Sequence, residues 1–142
     1  MPAKDTNELL HEIKQSDSVQ KFLHDNQSEM VRRYLPEYLA RLLQTKGLSQ
    51  KEVIRNSGLD KSYACHIFSG ERSTTRPKLL SLALAMKLTI DETQHLLHYA
   101  GLPQLYARVP WDSILLHAIS HQKTVIETNL LLDDFGERPL LG

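Results

Sequence analysis

Lys61, Ser62 and His66 are the residues whose types and spacing most clearly offer chemistry. Lys61 and Ser62 fall on the first turn of a short helix, and His66 returns to the same face one turn later. A lysine ammonium suits guanine O6 and N7, a serine hydroxyl donates or accepts, and an α-helix fits the major groove of DNA. Groups suited to phosphate stand around them. Gln50 opens the preceding helix, where backbone N–H groups are free to meet an anion. Tyr63 offers a hydroxyl, and Arg72 and Arg76 lie in the polar loop ERSTTR. Base contacts are expected from Lys61, Ser62 and His66, and phosphate contacts from Gln50, Tyr63, Arg72 and Arg76.

The stretch from Leu48 to Gly70 must position these groups. Ser49 followed by Glu52 predicts a capping box, so a helix starts at Gln50. Ser57-Gly58 breaks it, Gly58 supplying the positive φ that a sharp turn needs. Asp60 caps a second helix, which runs to Ser69 and ends at Gly70. Val53, Ile54, Leu59, Ala64, Ile67 and Phe68 can share one small core. That leaves Lys61, Ser62, Cys65 and His66 outside. Two short helices, a tight turn and a polar outer face on the second form a helix-turn-helix pattern.

The pattern Ser49-Gln50-x-x-Val53, Ser57-Gly58-Leu59, Lys61-Ser62-Tyr63 and Ile67-x-x-Gly70 resembles the phage-repressor, or Xre, family of DNA-binding regulators. With its flanking helices the resemblance covers residues 34–101. It implies a lambda-repressor-like bundle, base contacts at Lys61, Ser62 and His66, and a phosphate contact through Gln50. It also implies a homodimer on two half-sites about one helical turn apart.

Charge distribution agrees with a DNA partner although the net charge is zero. Residues 31–78 hold ten Lys and Arg against four Asp and Glu, while the segments on either side are acidic. Exposed charges are screened over about 8–10 Å in physiological salt, so local balance matters more than the total.

Helices are expected elsewhere along the chain. Asn7–Gln15 and Val19–Asp25, the second capped by Ser16 or Asp17, form an acidic arm, packed on the domain or used for dimer or partner contact. Ser28 precedes a further stretch, Glu29–Arg33. Glu37–Lys46 follows Pro36 and ends at Gly47. Pro77–Met86 and Ile90–Ala100 make a hairpin with a capping box at Thr89 and Glu92. That pattern then recurs 35 residues later. Leu80, Ala83, Thr89, Glu92, Thr93, Leu96, Leu97 and Gly101 match Leu115, Ala118, Thr124, Glu127, Thr128, Leu131, Leu132 and Gly136. A second hairpin, Trp111–His121 and Val125–Phe135, is therefore expected. It is expected to dock on its own domain and also to supply dimer contacts through Trp111 and Leu130–Leu132.

The expected architecture is all-α, with a helical arm over 1–30, a DNA-binding domain over 31–105 and a helical hairpin over 106–142. The single cysteine leaves no internal disulfide and no Cys-based zinc cluster. His95/His98 and His117/His121 have helical ligand spacing, but no second ligand frame accompanies them, so no metal is expected. No cofactor or nucleophile motif is present, and an enzyme is not expected. No apolar run approaches a membrane span of roughly 20 residues, and no signal peptide is expected at MPAKDTNELL, since no long apolar run follows it. The expected partner is double-stranded DNA in the cytoplasm, with a homodimer and a possible protein partner on the amino-terminal arm. The alternative is a protein-interaction adaptor or antitoxin-like partner that retains the domain.

Overall fold

The computed structural model describes residues 4–27 and 35–141. All regular structure among the described residues is helical, in nine helices. The chain divides into two compact units, Met1–Arg32 and Arg33–Gly142.

The first unit holds α1 (Thr6–Gln15) and α2 (Val19–Asp25). Asp5 caps α1 by accepting the Glu8 N–H. Ser18, rather than the expected Ser16 or Asp17, caps α2 by accepting the Lys21 N–H. The Ser16 hydroxyl is instead given to the Ser18 carbonyl. Among the described residues of this unit, Phe22 and Asn26 are buried. The Asn26 amide accepts from Lys4 Nζ at 2.7 Å and donates to Glu12 Oε2 at 2.9 Å and to the Phe22 carbonyl at 3.0 Å. Leu10, Ile13, Val19 and Leu23 remain exposed. Ser28–Arg33, expected to hold a further helical piece, lies outside the described residues.

The second unit holds α3 (Leu35–Lys46), α4 (Gln50–Ser57), α5 (Lys61–Ser69), α6 (Arg76–Ala85), α7 (Ile90–Tyr99), α8 (Pro110–Ser120) and α9 (Val125–Asp134). α6 is the hub. Leu79 to Leu84 are buried without a break, so this helix is covered on every side. The sequence pattern marks only Leu79, Leu80, Leu82, Ala83 and Met86 as core-facing. Ser81 and Leu84 are buried too, because α4 and α7 cover α6 together with α8 and α9. Ser81 satisfies its hydroxyl by donating to the Pro77 carbonyl at 3.0 Å. One continuous apolar core runs from Leu39 and Leu42 through α6 to Leu115, Leu132 and Leu140. The carboxyl-terminal hairpin thus buries its apolar ladder within its own unit.

Three helical pairs in this unit share one connector. In α3–α4, α6–α7 and α8–α9 the first helix ends on a left-handed residue, Gly47, Lys87 or Gln122. The next residue's N–H then reaches back to a carbonyl in the last turn: Leu48 to Leu43, Leu88 to Ala83, Lys123 to Ala118. A hydroxyl residue follows and caps the second helix: Ser49, Thr89 or Thr124. At Thr89 and Thr124 the capping box with Glu92 and Glu127 is complete. At Ser49 only half forms: the hydroxyl accepts the Glu52 N–H, and no return bond from the Glu52 side chain is present.

Candidate nucleic-acid interface

The α4–α5 pair is built as its residues dictate. The Ser57 hydroxyl is buried and donates to the Ile54 carbonyl at 2.6 Å, while accepting the Leu59 N–H at 3.1 Å. Gly58 takes φ +76°, and Asp60 caps α5 by accepting the Tyr63 N–H at 3.0 Å. Ala64, Ile67 and Phe68 turn inward with Val53 and Ile54. Gly70 ends α5 at φ +83°, and a Cβ there would meet Pro36 Cγ at 2.8 Å. This glycine is therefore required both by backbone conformation and by the approach of α3.

Lys61 and Ser62 are exposed on the first turn of α5, and Cys65 and His66 are half-buried one turn on. His66 Nε2 lies 3.6 Å from Glu71 Oε2. Gln50 is exposed at the start of α4. The Arg72 N–H bonds the His66 carbonyl at 3.3 Å, which folds the loop after α5 back onto its last turn.

Tyr63 gathers the cations. Its ring carries Lys78 Nζ at 4.3 Å and Arg72 Cζ at 5.6 Å from the centroid. Its hydroxyl donates to Thr74 Oγ1 at 3.4 Å. Among the described residues, neither Lys78, Arg72 nor Lys61 has a carboxylate in ion-pair range. Lys78 is the residue that motif reading missed. It sits in the first turn of α6, where the sequence offers only a charge between proline and leucines.

Arg76, expected to contact phosphate, has its guanidinium held by partners within the fold. Nη2 pairs with Asp112 Oδ2 at 2.5 Å and donates to the Gln104 carbonyl, while Nε donates to the Pro103 carbonyl. The group also lies over the Trp111 ring. Asp112 is only 3% exposed and accepts the Tyr106 N–H as well. Such a pair in low dielectric holds its partners firmly, since a lone buried carboxylate is costly. Arg76 therefore fastens α6 to the start of α8.

Trp111 is likewise engaged within the chain, donating its indole N–H to the Arg138 carbonyl at 2.8 Å. Of Leu130–Leu132, Leu130 is exposed and Leu132 is buried. Exposed apolar residues on and beside α9 are Ile126, Leu130 and Phe135. The His117 and His121 rings stand 4.2 Å apart. Among the described residues no group of three or more His, Cys, Asp or Glu could hold a metal ion. No described helix is long and apolar enough to cross a membrane.

Comparison with protein families, curated proteins and solved structures gave no match to this chain.

Proposed function

We propose that this chain is a sequence-specific DNA-binding transcriptional regulator of the Xre type, with a lambda-repressor-like helix-turn-helix made by α3 to α7. In this reading α5 is the recognition helix. Lys61, Ser62 and His66 face base edges, and Gln50, Tyr63, Arg72 and Lys78 face phosphates. The observation that carries the reading is the pair of unpaired cations, Arg72 and Lys78, on the Tyr63 ring beside the exposed first turn of α5. Cations without carboxylate partners are available to replace the counterions of a phosphate backbone.

Binding as a homodimer in the cytoplasm belongs to the same reading, and the exposed Ile126 and Leu130 of α9 are the surface we assign to pairing. Those same residues favour a second reading, a protein-binding adaptor that keeps the helical domain. Titration of duplex DNA at several salt concentrations separates the two. A regulator weakens steeply with salt, with a slope near −0.9 per phosphate contacted. Selection of bound duplexes from a random pool should then enrich a palindrome. Absence of salt-dependent binding would sink the DNA reading.

A further inference from the structure

The segment after α9 turns back across the unit and ends on the α4–α5 turn. Three fixings hold it. The Glu137 N–H bonds the Leu132 carbonyl, the Arg138 carbonyl accepts the Trp111 indole N–H, and the Leu140 N–H bonds Asn129 Oδ1 at 2.8 Å. Leu140 is 4% exposed and belongs to the main core. Leu141 reaches farther. Its Cδ1 would stand 3.1 Å from a Cβ placed on Gly58, so it packs directly on the glycine that makes the turn. Leu140 and Leu141 also line one groove with Leu59, Tyr63, Arg72 and Lys78.

From this geometry we infer that Leu140 and Leu141 are positioning residues for α5. Within the turn the buried Ser57 hydroxyl bridges Ile54 and Leu59, but apolar cover is sparse: beyond Ser57 the turn holds a left-handed glycine, one half-buried leucine and a solvent-exposed aspartate cap. A short exposed turn of this kind opens locally unless tertiary contacts hold it. The two leucines supply apolar cover from the far end of the chain. They do so beside the Tyr63 ring on which Arg72 and Lys78 rest, so they also fix the floor under those cations. Their effect on DNA rests on the regulator reading above; their effect on the turn does not.

The test uses hydrogen exchange in the full-length chain. Leu141→Ser should speed exchange by about tenfold at Gly58, Leu59, Tyr63 and Ala64, because it removes a partly buried apolar side chain from the turn. Exchange at Leu88 and Leu102, in connectors away from the tail, should stay unchanged. Asn129→Ala, which leaves Leu140 and Leu141 in place and removes only the side-chain acceptor, should give a smaller change at the same four amides. Leu141→Met should restore protection. Equal acceleration at all these amides would reduce the tail to a general stabiliser, and no change at the turn would overturn the inference outright. In parallel, Leu141→Ser should weaken duplex DNA binding with the salt slope nearly kept, since the cations Arg72 and Lys78 remain and only their placement loosens. If neither protein binds DNA, the regulator reading fails, and the exchange data still decide the role of the tail.

Discussion

Lys87 donates through Nζ to the Gln122 carbonyl at 3.3 Å, and the two residues share one left-handed backbone conformation, φ +54° and +52°. They stand 35 residues apart, at equivalent points of two hairpins. The repeat therefore extends below side-chain identity to the hydrogen bonds of the connector. Gly101 and Gly136 close the second helices of both hairpins in the same way, with Leu102 and Glu137 reaching back to Leu97 and Leu132.

A left-handed conformation strains any residue with a Cβ. Gln122→Gly should therefore raise stability, by about 0.5–1 kcal/mol after the extra freedom of the unfolded chain is counted. Lys87→Gly should gain less, because it also removes the bond to Gln122. Urea denaturation checks both, and a loss of stability in Gln122→Gly would contradict the strain argument.

Arg76→Ala should lower stability by about 3 kcal/mol, since it leaves the buried Asp112 carboxylate without its cation. An ordinary phosphate contact on a loop would produce almost no change in stability. Chemical denaturation of the DNA-free protein separates these outcomes.

Arg72→Ala and Lys78→Ala should each weaken binding to all duplexes alike and reduce the salt slope by about one. Lys61→Ala and His66→Ala should instead change sequence preference, at a cost of about 1–3 kcal/mol on a cognate site. Binding isotherms on cognate and random duplexes discriminate them. Equal losses on both for Lys61→Ala would move that residue to the phosphate group.

Acid should loosen the repeated connectors. Burial works against the Glu92 carboxylate, but the Thr89 backbone N–H and the Lys46 ammonium bond it and hold its pKa below the usual 4.5. The Thr124 backbone N–H and hydroxyl do the same for Glu127. A carboxyl depressed in the folded state contributes stability above its unfolded value and loses it as pH falls through the folded one. Stability should therefore decline below about pH 4.5, the window set by these depressed groups. Glu127→Gln keeps a side-chain acceptor for the Thr124 N–H and removes one titration, so its acid limb should be shallower. Thermal melts from neutral pH into acid provide the check.

Leu130→Glu should shift sedimentation toward the monomer if α9 pairs two copies, because Leu130 is 60% exposed and available to a second copy. An unchanged sedimentation coefficient at matched concentration would move the pairing surface elsewhere.

The helices and their ends were legible in the sequence because their causes are local. Asp60, Thr89 and Thr124 cap where their spacing to the next turn predicts, and Gly47, Gly58 and Gly70 end helices where a positive φ is needed. The fate of Arg76 was not legible. Its partner Asp112 lies 36 positions away, and only the packing of α8 on α6 brings them together. Lys78 was hidden for the same reason, since its neighbour is the ring of Tyr63 on another helix. Leu140 and Leu141 follow Pro139 in a segment too short for any period, so nothing local announces where they dock.

The contact of Leu141 with Gly58 also bears on how the chain reaches this state. The hairpins are closed by contacts near in sequence, which form fast, whereas this contact must close a long loop and so belongs late in folding. A contact absent from the transition state changes the rate of unfolding and leaves the rate of folding alone. Leu141→Ser should accordingly shorten the lifetime of the folded protein without slowing its formation. The α4–α5 turn would then be the last part of the unit to become rigid and the first to come loose.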